Sequence, residues 1–166
     1  MATTEAKVRE PKDLRYRRQF FPEADKLVFD TGRKGFVPLP IIVRKLISHL
    51  SSPELRVLIY LNLRASRYGI CYPPIDEIVH ELGLTSKKNL LPHIDSLEQK
   101  RFISTHIAGA KRFFLVHDPR VAIEHLAAKG ELKDQELFEI NELLGDLNQP
   151  SLVVPDHQSR KQRPKY

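Results

Sequence analysis

Residues 74–103, PIDEIVHELGLTSKKNLLPHIDSLEQKRFI, constrain the fold more than any other stretch. Ile75, Ile78, Val79 and Leu82 recur at helical spacing, and Gly83 follows as a stop that can take the left-handed backbone. Leu90, Ile94 and Leu97 then mark the inner face of a second helix. Ile78, Val79 and Leu82 can reach that face only if the chain turns sharply at Gly83. The spacing therefore predicts two helices packed across a tight turn, with the start of the second projecting outward. Leu91 and Pro92 are expected on the outward face. With Asn89 as N-cap, Pro92 falls in the first turn, where its missing N–H is an orphan in any case. Arg101 stands at the helix end, where a left-handed residue other than glycine costs about 1 kcal/mol.

The flanking segments extend this frame. A short first helix is expected near residues 40–50, with Pro40 at its first position and Ile42, Leu46 and Ile47 as its apolar stripe. Gly32 and Gly35 are read as turns before it. "SSPEL" starts another helix, with Ser52 as cap, Pro53 in the first turn and Glu54 at the positive end of the dipole. Leu55, Leu58, Ile59 and Leu63 form its apolar stripe, and Gly69 closes it. Cys71 sits in a short strand, "ICY". Phe102 to Ile107 and Arg112 to Val116 flank a Gly-containing loop, which signals a β-hairpin. Asp118 and Pro119 cap and open a helix ending at Gly130. The last helix places Leu137, Ile140, Leu144 and Leu147 on one side, fit either to pack on its own domain or to pair two copies. From Gln149 onward the chain reads as disordered.

On "PPIDEIVHELGLTSKKNLLPHIDSLEQKRFI", residues 51–117 resemble a winged helix-turn-helix domain of bacterial transcription regulators and plasmid replication initiators. The resemblance implies a mainly α fold with a small β-hairpin, the winged core being followed by C-terminal helices. The chain is thus read as a basic, partly disordered arm (1–35), the winged domain (36–118), a helical extension (119–148) and a disordered basic tail (149–166). It implies that Ser86, Lys87, Lys88, Asn89 and His93 face a DNA groove. Lys111 and Arg112, at the hairpin tip, resemble wing residues that touch phosphate or the minor groove. The expected function is sequence-preferring binding of double-stranded DNA in the regulation of transcription or mobile-element replication. The alternative is a winged-helix interaction subunit of a larger nucleoprotein assembly, with a protein partner at Leu91 and Pro92.

Charge agrees with a polyanionic partner. The chain carries a formal net charge of +6. Residues 36–118 hold 11 basic against 7 acidic side chains, and residues 119–150 hold 3 against 7. In the arm, Arg15, Arg17 and Arg18 alternate with Tyr16, Phe20 and Phe21. This pattern fits either an arm docked by its aromatics or arginines tracking phosphates beside stacking rings. The single cysteine permits no intramolecular disulfide. The seven histidines lack metal-site spacing, and no cofactor or enzymatic activity is expected. No apolar run approaches the ~20 residues of a membrane span, and the opening residues are too polar and acidic for a signal peptide. A cytoplasmic location is expected.

Overall fold

The computed structural model describes residues 10–27, 41–147 and 149–152. Gly32, Gly35, Pro40 and the tail beyond Leu152 lie outside the described residues. The fold is mainly α-helical with a small three-stranded antiparallel sheet. Its α-helices are α1 (Lys12–Phe20), α2 (Ala24–Leu27), α3 (Ser52–Arg64), α4 (Ile75–Glu81), α5 (Lys87–Gln99), α6 (Pro119–Lys129) and α7 (Asp134–Asp146). The strands are β1 (Ile70–Cys71), β2 (Ile103–Ala108) and β3 (Lys111–Val116), in spatial order β1-β3-β2. The expected hairpin is present, and β1 adds a third strand through Ile70 opposite Leu115 and Cys71 opposite Phe114.

β3 explains how the layers stack. Its side chains alternate across the sheet, and both faces are covered. Phe114 and Val116 enter the main core with Leu61, Ile78, Leu90, Ile94 and Leu97. Phe113 and Leu115 face a second, smaller core with Ile70 and Phe21. A strand buried on both sides needs a near-continuous apolar run, and FFLV supplies it. Residues 15–21, read as an arm docked by its aromatics, form helix α1 and the turn after it, and the aromatics do dock. Tyr16 and Phe20 pack on Phe113, and Phe20 stacks on His106 with ring centroids 4.5 Å apart.

The local expectations fare unevenly. Residues 41–50 form two short 3-10 turns, Ile41–Lys45 and Ile47–His49, rather than an α-helix. Val43 and Leu46 are buried there, whereas Ile47 is exposed. The N-cap of α3 is Ser51, one residue before the expected Ser52. Its hydroxyl accepts from the Glu54 N–H, and the Glu54 carboxylate accepts from the Ser51 N–H at 2.6 Å. The buried face of α3 is Glu54, Val57, Leu58, Leu61 and Asn62. Leu58 alone of the expected stripe is buried. α3 ends at Arg64, and Gly69 uses its positive φ in the turn leading to β1. α7 buries Leu137, Ile140 and Leu144 in the main core but leaves Leu147 exposed. Residues 149–152 are ordered against α7, where the Leu152 N–H donates to Asn141 Oδ1 at 2.9 Å.

Glu54 is the polar hub of this core, with 4 % of its surface exposed. The Lys100 ammonium lies 3.0 Å from both carboxylate oxygens and 3.0 Å from the His49 carbonyl. The Ser96 hydroxyl donates to the same carboxylate. Burial alone would raise the Glu54 pKa, but the donors from Ser96, Ser51 and Lys100 outweigh it and hold the group at about 2. The hub thereby ties the start of α3 to the end of α5 and to the second 3-10 turn.

The end of α5 is strained, as its sequence implies. Arg101 has φ +65°, the one positive value at a non-glycine position among the described residues. The Phe102 N–H reaches the Leu97 carbonyl at 3.0 Å and the Arg101 N–H reaches that of Glu98, which is a Schellman closure. His117 braces it. Nδ1 donates to the Arg101 carbonyl at 2.6 Å, and Nε2 accepts from the Ser104 hydroxyl at 2.6 Å.

Candidate nucleic-acid interface

The turn after α4 is closed by Gly83 at φ +63°, with the Leu84 N–H on the Val79 carbonyl at 2.9 Å. That closure sends Thr85 and Ser86 outward, and Ser86 rather than Asn89 is the N-cap of α5. Lys87, Lys88 and Asn89 accordingly form the exposed first turn of the helix, at the positive end of its dipole. Asn89 folds back, donating from Nδ2 to Thr85 Oγ1 at 2.5 Å. Lys87 lies 3.2 Å from Asp76, while Lys88 has no ion pair among the described residues.

The rest of α5 differs from the expected reading face. Pro92 is inside the helix beyond its first turn, so the Lys88 carbonyl lacks its usual helical donor. Leu91 is half-buried against the main core and does not stand outward. The outward row is Lys88, Pro92, Asp95 and Gln99, all exposed, with His93 half-buried beside it. Asp95 would repel phosphates, so any anion-facing role is confined to the entrance of the helix. Leu91→Ser is expected to lower stability by about 1–2 kcal/mol through lost apolar burial. Urea denaturation checks this; unchanged stability with altered ligand binding would put Leu91 back on the surface.

The hairpin meets that entrance. Gly109 takes φ +62° at the first of two loop residues, the position that a type II′ turn reserves for glycine. Lys111 pairs with Ala108 and Arg112 with Ile107, which places both side chains at the tip. A groove of about 270 Å³ is lined by Tyr72, Asp76, Lys87, Lys111 and Arg112, among others. A larger one of about 620 Å³ continues past Tyr72, Pro73 and Lys111 to Arg64 and Asp13. Lys87, Lys111 and Arg112 thus share one rim. Tyr72 lines both grooves, and Arg64, paired with Glu77 at 2.6 Å, lines the larger one; neither had been singled out in the sequence. Tyr-Pro-Pro after a short strand is the signal that could have found the linker.

The arm contributes less than its composition suggests. Arg17 is buried, 6 % exposed, and its guanidinium donates to the Tyr68 carbonyl at 3.2 Å and to Asp25 at 2.9 Å. It is a scaffold residue rather than a solvent-facing ligand. Arg18 pairs with Glu10, and Arg15 is exposed on α1.

Other chemistry is sparse. Burial pushes the Cys71 thiol up to about 12, which removes it as a nucleophile at neutral pH. The Tyr72 hydroxyl is also raised, by burial and by the Asp13 carboxylate it contacts. Among the described residues no group of three or more His, Cys, Asp or Glu could hold a metal ion, and no helix is long and apolar enough to cross a membrane. The chain matches no family model, no curated protein and no solved structure.

Proposed function

We propose that residues 51–117 work as a winged helix-turn-helix and that the protein grips double-stranded DNA as a regulator of transcription or of mobile-element replication. The observation that carries this reading is the common rim of Lys87, at the start of α5, and Lys111 and Arg112, at the hairpin tip. Two elements that present cations side by side suit the phosphate backbone, which dominates affinity for DNA. The α5 entrance adds its N–H groups and dipole to the same end. Asp95 and the folded-back Asn89 favour backbone gripping over a dense base code, because phosphate contacts position a protein while base contacts specify the site.

Fluorescence anisotropy on duplex DNA at graded salt tests the proposal. Binding weakens as salt rises, by about 0.9 log units per log unit of salt for each neutralised phosphate. Lys87→Ala with Lys88→Ala lowers affinity for every duplex and flattens that slope by roughly one to two units. Lys111→Ala with Arg112→Ala acts in the same direction without unfolding the protein. Unchanged affinity in both double variants would end the DNA reading.

A further inference from the structure

Two exposed features of this chain complement one another. The face of α3 turned away from the core carries Ile59 and Leu63, the latter 64 % exposed. With Tyr60, Leu82 and the stem of Arg56 they line a shallow, largely apolar pocket of about 260 Å³. Arg56 donates to the Leu82 carbonyl and pairs with no carboxylate among the described residues. On α7, Phe138 lies off the buried Leu137–Ile140–Leu144 stripe and is 59 % exposed. Asp134 and Glu142 stand one helical turn before and after it, both exposed.

We propose that Phe138 of one copy seats in the α3 pocket of a second copy, with Glu142 facing Arg56. Size permits it, since an apolar cavity of about 150 Å³ already admits benzene. Charge selects it. Residues 119–150 are acidic overall whereas residues 36–118 are basic, so α7 is a better occupant of this pocket than a second α3, which would bring Arg56 against Arg56. Knob and socket are different surfaces, so the contact is heterologous and runs head to tail unless its rotation closes a ring. A single aromatic knob covers far less than the ~800 Å² per partner of a standard interface, and the association is accordingly weak and concentration-dependent. It uses none of the cations of the DNA reading, so each stands or falls alone.

Sedimentation velocity on the full chain, across a concentration series at low salt, tests the pairing. The wild type should gain mass with concentration. Phe138→Asp and Leu63→Asp should each weaken that gain by on the order of 30-fold, as for loss of an aromatic anchor. Both positions are exposed, and circular dichroism verifies that the fold survives; Glu142→Lys, which reverses one charge, gives the same direction more mildly. An equimolar mixture of the two Asp variants should regain a one-to-one complex, because each retains the half that the other lost. A wild type that stays monomeric throughout would overturn the proposal and leave the pocket to a different acidic partner. So would association that survives Phe138→Asp, or a mixture that stays monomeric when the wild type associates.

Discussion

Replacing Lys100 with Met is expected to lower the unfolding free energy by roughly 3 kcal/mol, the lower end for breaking a buried ion pair. The cost comes from what remains behind. Glu54 keeps the Ser51 N–H and the Ser96 hydroxyl, but its carboxylate then sits in the core without the cation 3.0 Å away. Lys100 is itself partly exposed, which limits the loss. Glu54→Leu should be similarly destabilising, because it also removes the acceptor from the α3 cap. The double variant Glu54→Leu, Lys100→Met should be less destabilised than the two singles added together, since neither charge is left alone. Chemical denaturation of the four proteins measures the coupling. Additive losses would mean that the pair is only a surface contact.

The second large effect is acid destabilisation in two stages. Burial lowers the His117 pKa to about 4, whereas an unfolded histidine takes its proton near ~6.5. The unfolded chain therefore binds the proton first. This contribution is complete above about pH 6.5 and is lost as pH falls toward 4. Glu54 repeats the logic lower down. Its folded pKa of about 2 means that stability present above ~4.5 disappears as pH falls through 2. At about 1.36 kcal/mol per pKa unit, each stage is on the order of 3 kcal/mol. Urea midpoints should fall steadily from pH 7 to 2 in the wild type. In His117→Gln the upper part of that decline should flatten, and in Glu54→Gln the lower part. An unchanged decline in His117→Gln would show that other groups govern the upper stage.

The second helix pair was the most legible part of the sequence. Leu90, Ile94 and Leu97 occupy the buried positions that their period demands, and Gly83 and Arg101 take the left-handed backbone at the two helix ends. α3 was misread for a physical reason. Both its faces are apolar, and the one that faces the core also carries Glu54 and Asn62, which a search for apolar stripes assigns to solvent. Arg17 misleads in the same way, as a charge that tertiary partners draw inward. The 3-10 turns at 41–49 could not be told from a helix by pattern alone, since Val43 and Leu46, three apart, suit either geometry. The proposed interface was only half visible. The lysines of α5 and the basic hairpin tip stood out separately, but their common rim depends on Tyr72 and Pro73, which carry no charge pattern.

The covered back of the sheet has a mechanical consequence. Helix α1 lies against β3 as a splint, with Tyr16 and Phe20 on Phe113 and Phe20 on His106 of β2. A lone two-stranded hairpin is marginally stable in water, and a floppy one must be ordered each time it meets a ligand, at about 0.5–1.5 kcal/mol for each side chain immobilised. Here the strands are braced from behind by α1. On the proposed function, the aromatic half of the arm would strengthen binding without touching the bound molecule, by deciding how still the hairpin is held.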